Sequence, residues 1–175
     1  MPELFPWFLL LHILGAIIAF GPPFAFPIIG AMGGKEPMHA NFATRVSHAI
    51  GDRVVQPVAY SMAVTGVGLI WSAGIDPFAA ASRWLLVAIA IYVFAVLFAV
   101  FVQRRAVMRV IELTGGHGGT PPAAPAPPSP DAAGGGGPPP ALAAAVASVQ
   151  RNGIVLTLAL VVIVFLMIVK PSLGS

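Results

Sequence analysis

Four apolar stretches dominate the chain: residues 4–29, 54–73, 84–102 and 153–169. The hydrocarbon core of a bilayer is about 30 Å thick and takes about 20 residues of helix to cross. Three of the stretches meet that length. The fourth is shorter, but "ALAAAVASVQ" before it is apolar enough to extend it. Lipid offers no partner to a bare N–H or C=O, so a spanning segment must satisfy its backbone internally. None of the stretches alternates with period two, which argues against a barrel. The expectation is an all-α, integral membrane four-helix bundle. Composition agrees: 58% of the 175 residues are hydrophobic and 9% are charged, against roughly 25% charged in a soluble domain. Such a chain cannot coat a globule with solvated side chains. With no cysteine, disulfides, thiolate metal sites and thiol catalysis are excluded.

The cations set a direction. Lys35, Arg45 and Arg53 lie in the first connection, and Arg104, Arg105, Arg109 and Arg151 in the third. The opposite side holds Arg83 and Lys170. By the positive-inside rule the seven face the cytoplasm, so both termini are expected outside, in a bacterial inner membrane. Trp7, Trp71 and Trp84 fall at the outer ends of their stretches, where amphipathic rings favour the interface. The clustering of so few cations gives the chain a topology and no nucleic-acid surface. "MPELFPW" has no cation before the apolar run, so it lacks the n-region of a secretory signal and the first stretch is expected to be retained.

The connections differ in kind. In "GGKEPMHANFATRVSHAIGDR", residues 33–53, a short helix is expected after Pro37, with Phe42, Val46 and Ile50 on one face. Arg45, His48, Asp52 and Arg53 are its polar companions, and it is expected to lie at the interface or to continue into the second span. "GIDPF" is a turn that makes the second and third spans a hairpin. Residues 115–140 are almost entirely Gly, Pro and Ala and are expected to form a disordered cytoplasmic insert. His117 within it has no second ligand nearby and reads as incidental.

His12 is the one histidine inside an apolar stretch. It lies about 12 Å along the first helix, counted from residue 4 at a rise of about 1.5 Å per residue. Ionisable groups at such depth face the bundle interior. Gly15, Ala16 and Ala19 follow it at helical spacing, and small residues let a second helix approach closely. The second span offers Ser61, Thr65, Gly68 and Ser72 at matching spacing. The two faces are expected to pack, with His12 hydrogen-bonded to Tyr60, Ser61 or Thr65. A second use of His12 is as a haem ligand, with Met62 at matching depth as the other candidate; His48 lies too far along the second helix to share a metal with it. Gly21, Pro22, Pro23 and Pro27 predict a kink or break in the inner half of the first helix. No nucleophile–base pair, carboxylate pair, phosphate loop or metal-protease spacing occurs, and all six carboxylates lie at ends or in connections. No resident metal site is expected.

"LHILGAIIAFGPPFAFPIIG", "ATRVSHAIGDRVVQPVAYSMAVTGVGLIW" and "FVQRRAVMRVIELTG" together resemble a bacterial integral-membrane family of unknown function (domain of unknown function 2269). The marks are "LH" followed by small residues in the first helix and "TG" in the second. The resemblance covers nearly the whole chain outside the Gly/Pro insert and implies a four-helix membrane protein. More distantly, a first-helix His followed by Gly looks like copper-resistance D-type proteins and HemJ-type protoporphyrinogen oxidases. In the latter that His is a haem ligand, which carries over only to His12. Their third-helix Lys has no counterpart in "WLLVAIAIYVFAVLFAVFVQ". Intramembrane Met and His are sparse here, which weakens the copper-transport reading.

The functional expectation is a non-enzymatic membrane protein in contact with the lipid bilayer, as a subunit or accessory of a larger complex or as a homo-oligomer. The alternatives are a redox module binding haem b at His12 and a small-solute or metal transporter. The cation count makes the first prediction. A reporter fused after Ser175 is expected to be active only when it requires export; activity restricted to a cytoplasmic reporter reverses the topology.

Overall fold

A computed structural model describes residues 2–115 and 139–171. Four helices long and apolar enough to cross a membrane account for nearly all of it: Phe5–Lys35, Ala40–Ala73, Arg83–Gly115 and Pro140–Val169. They contain 31, 34, 33 and 30 residues, which is more than the hydrocarbon requires. The expected insert, His117 included, falls outside the described residues except at its ends. There Gly115 closes one helix and Pro140 opens the next.

Two of the four are composite. Helix α1 (Phe5–Lys35) is regular throughout. The second joins α2 (Ala40–Ile50) to α3 (Gln56–Ala73) through a π-type turn, Gly51–Val55. The third joins α4 (Arg83–Phe98) to α5 (Arg104–Gly115) through another, Ala99–Gln103. Helix α6 is Pro140–Val169. In each wide turn a backbone N–H reaches back five residues, Gln56 to Gly51 and Arg104 to Ala99. The first precedes Pro57, whose ring crowds the carbonyl four residues back, and widening the turn relieves that crowding. Helix α3 stops at Gly74, which takes a left-handed φ of 64° and returns its N–H to Ile70 and Trp71.

Pro22, Pro23 and Pro27 do not break α1; the helix passes through all three. A break inside lipid would bare more backbone groups than the three missing donors do.

The helices run up and down in chain order, so the connection 36–39 lies at the same end as Gly115 and Pro140. This basic end collects Lys35, Arg45, Arg53, Arg104, Arg105, Arg109 and Arg151. Trp7, Trp71 and Trp84 lie at the other end, where the Lys170 ammonium sits 5.8 Å over the Trp84 ring. About 20 residues of helix from that tryptophan level exhaust the hydrocarbon. They reach Pro27 in α1, Gly51 before α3 and Arg104 after α4. Both wide turns therefore lie at the membrane boundary, and the remaining turns of helix project past it as a cap. In the cap α2 packs on α1 and α5, and α5 on α6. Asn41 Nδ2 donates to the Ile111 carbonyl at 3.2 Å and to Thr114 Oγ1 at 3.0 Å, and Val110 and Ile111 are buried.

Within the membrane, burial is inverted relative to a soluble bundle. Leu10, Ile17, Val64, Val67 and Ile154 are exposed to lipid. The interior is made of Ala19, Met62, Leu85, Ala88, Ile163 and Leu166. Where α1 meets α3 the buried residues are mostly small (Gly15, Ala19, Gly68 and Ser72), because lipid competes for large ones on equal terms and close backbone approach is the remaining gain. Helix α1 packs against α3, α4 against α6, and α1 also meets α6.

The first two helices form one antiparallel pair along their whole length. Contacts join residue 8 to 68, 12 to 65, 15 to 62 and 33 to 43. At Gly33 an added Cβ would stand 3.1 Å from Ala43 Cβ and 3.3 Å from Ala40 Cα. That register makes a clean test, because the chain has no cysteine. Gly33→Cys with Ala43→Cys is expected to form a disulfide on mild oxidation. Gly33→Cys with Val64→Cys is not; equal yields in both pairs contradict the register.

Candidate functional site between helices α1 and α3

His12 is brought to α3 by the small residues around it. Gly15 and Ala19 on α1 are buried, as are Gly68 and Ser72 on α3. Three larger side chains fill the space these leave. Phe8 lies over Gly68, where an added Cβ would come within 2.5 Å of the ring. Met62 lies against Gly15, its Cγ 3.0 Å from the position of an added Cβ, and is only 5% exposed. The His12 ring lies over Gly66, with Cε1 at 3.5 Å from such a position.

The ring makes one side-chain hydrogen bond across the interface, Nδ1 to Thr65 Oγ1 at 3.0 Å. The Thr65 hydroxyl donates its single hydrogen to the Met62 carbonyl at 3.2 Å. In that orientation it accepts from His12, which puts the imidazole proton on Nδ1. Nε2 then carries the lone pair. A histidine whose Nδ1–H is held by a neighbour is oriented to use Nε2 as an acceptor or ligand.

The other residues singled out in the sequence have these places. Ala16 is half-buried beside Gly15. Ser61 and Tyr60 lie on the exposed side of α3, and Ser61 Oγ bonds its own helix at the Val58 carbonyl, 2.8 Å away. Ser72 Oγ bonds the Leu69 carbonyl at 3.3 Å. Pro22 and Pro23 are half-buried and Pro27 is exposed. His48 sits at the boundary, 3.6 Å from Asp52, while His39 pairs with Glu36 at 3.0 Å in the far connection. Among the described residues no three His, Asp or Glu side chains converge as a metal site would require.

Several polar contacts escaped sequence reasoning. The Tyr92 hydroxyl on α4 donates to the Ala59 carbonyl on α3 and closes the fourth side of the bundle. The signal was a lone phenol in an otherwise apolar span, which needs a partner when buried. At the boundary Gln103 Nε2 donates to the Val149 carbonyl at 3.4 Å, and Asp52 joins His48 to Arg104, 3.3 Å away. These contacts tie the two wide turns and α6 together at one level.

The geometry makes a prediction for Thr65. Thr65→Val keeps the shape and removes the hydroxyl, leaving His12 Nδ1 bare inside the bundle. A loss of about 0.6–2 kcal/mol is expected, the range for interhelical hydrogen bonds in membranes. Unfolding in mixed micelles measures it, and Thr65→Ser is expected to retain most of the stability.

The comparisons with known proteins agree with this architecture. The family described as predicted integral membrane protein (DUF2269) has a model that matches residues 7–124. That segment contains α1 to α5, and so both partners of the His12 contact. No curated protein and no solved structure matches the chain.

Proposed function

The chain belongs to this family of integral membrane proteins, and from that premise we propose that it is a non-enzymatic component of the bacterial inner membrane, with both termini outside. It serves as a subunit or accessory on which a second membrane protein or another copy of the chain assembles. The observation that carries the reading is the use made of His12. Its Nδ1 is spent on Thr65, and the adjoining notches at Gly15 and Gly68 are filled by Met62 and Phe8. An intramembrane histidine held this way joins helices. The exposed apolar surface of α1, α3 and α6 is what lipid or a partner helix would cover.

A second reading has one observation in its favour. With the proton on Nδ1, the Nε2 lone pair of His12 would be the group that holds a haem b, and Thr65 would hold the ring in place. Of the residues present, His12 alone would hold such a group, because Met62 is packed against Gly15. A haem bound there supplies one-electron chemistry.

The visible spectrum of the purified protein from haem-replete cells, oxidised and reduced, separates the two readings. No Soret band is expected. A Soret band in the wild type that is lost in His12→Ala replaces the first reading with the second.

A further inference from the structure

The joint between α4 and α5 carries a shallow, open groove along one face of the helix. Val100, Phe101 and Met108 line its apolar part, and Arg104, Arg105 and Arg109 its basic part. These positions follow i, i+4 spacing, so they form one continuous strip of helix surface. The groove straddles the membrane boundary. About 20 residues separate Trp84 at one interface from Arg104, which is the length of helix that crosses about 30 Å. Arg104 and Arg105 therefore lie at headgroup depth, and Arg109 one turn further out. Val100 and Phe101 lie one turn inward, among acyl chains, and Phe101 is exposed there.

The charge in the groove is not consumed by neighbours. Arg104 meets Asp52 through one nitrogen at 3.3 Å, and Arg109 meets Glu112 through one nitrogen at 3.4 Å. Each guanidinium has five N–H donors, so among the described residues these pairs engage only a few of them, and pairs this exposed are weakly held. Among the described residues Glu112 is the one carboxylate lining the groove, against three arginines. Among the described residues no carboxylate lies in ion-pair contact with Arg105.

We propose that this groove binds an anionic phospholipid of the leaflet facing the basic end, its phosphate between Arg105 and Arg109 and an acyl chain along Val100 and Phe101. Arginine forks suit phosphate oxygens. The strip that runs on from the arginines into the hydrocarbon has no use for a free anion, so the occupant is an amphiphile. The site is independent of the role assigned to His12.

The test uses the full chain, delipidated in a neutral detergent and titrated with phosphatidylglycerol or phosphatidylcholine of matched chains, with bound lipid read by native mass spectrometry. Phosphatidylglycerol is expected to bind preferentially. Arg105→Gln with Arg109→Gln is expected to cut that preference roughly thirtyfold, in line with about 1 kcal/mol for each of two basic residues near an anionic surface. Lys35→Gln with Arg45→Gln, at the same end but off the groove, is expected to leave it unchanged. Circular dichroism checks that each variant is folded; should the double glutamine variant fail, Arg105→Gln alone takes its place. No preference in the wild type overturns the proposal. So does equal loss in the two double variants, which would make the effect one of general charge. Displacement of the lipid by millimolar inorganic phosphate overturns it as well, because the site would then be one for free anions.

Discussion

Helix α1 and the composite helix α2–α3 approach one another closely along their whole shared length, and the other helices are arranged around that pair. In a bilayer two apolar helices gain little by hiding leucines from lipid. What remains is contact, and contact depends on how near the backbones come. Gly33 against Ala40 and Ala43, Gly15 under Met62 and Gly68 under Phe8 set that approach at three levels. Only at this separation does His12 Nδ1 reach Thr65. Helix α6 then packs on α1 and α4 on α6. Tyr92 returns from α4 to α3 through a single hydroxyl.

The helices outrun the membrane on one side only. At the tryptophan end they stop at short turns, with Gly74 and Lys170 in left-handed conformation. At the basic end they continue into a cap held by Asn41, Thr114, Val110 and Ile111. Among the described residues, the tryptophan end is nearly flush and the basic end carries a small helical cap. Polar side chains collect where the two regions meet. Asp52, Arg104 and Gln103 bind across helices there, and the buried Asn152 lies at the same level of α6.

The four spans were legible because a bilayer reads length and apolarity, and neither needs a periodicity to be resolved. The cap was less so. "QRRAVMRVIELTG" reads as the start of a connection because arginines interrupt the apolar run. The stripe of Val107, Val110, Ile111 and Thr114 that makes it a helix is short. On α3, spacing alone placed Ser61 on the packing face with Thr65. The structure turns Met62 inward in its place and leaves Ser61 exposed, because a large side chain opposite Gly15 gains more contact than a hydroxyl. Small and polar residues mark where helices approach, but the residue that plugs the gap is a large one, and no spacing rule names it. Depth narrowed the partner of His12 to Tyr60, Ser61 or Thr65, and the turn of α3 that brings Thr65 to the ring selects among them. The state of the imidazole needed the third member, the Met62 carbonyl, which no sequence reveals.

The two wide turns each insert a residue into an otherwise regular helix. One residue rotates everything beyond it by about 100° about the helix axis. The stripe that faces inward in the cap is therefore out of phase with the stripe that faces inward in the membrane. Each composite helix behaves as two differently aimed rods welded at the bilayer surface. A chimera of two such proteins joined inside Gly51–Val55 or Ala99–Gln103 must preserve that extra residue. Otherwise one rod of each weld will present its lipid-facing side to its neighbours.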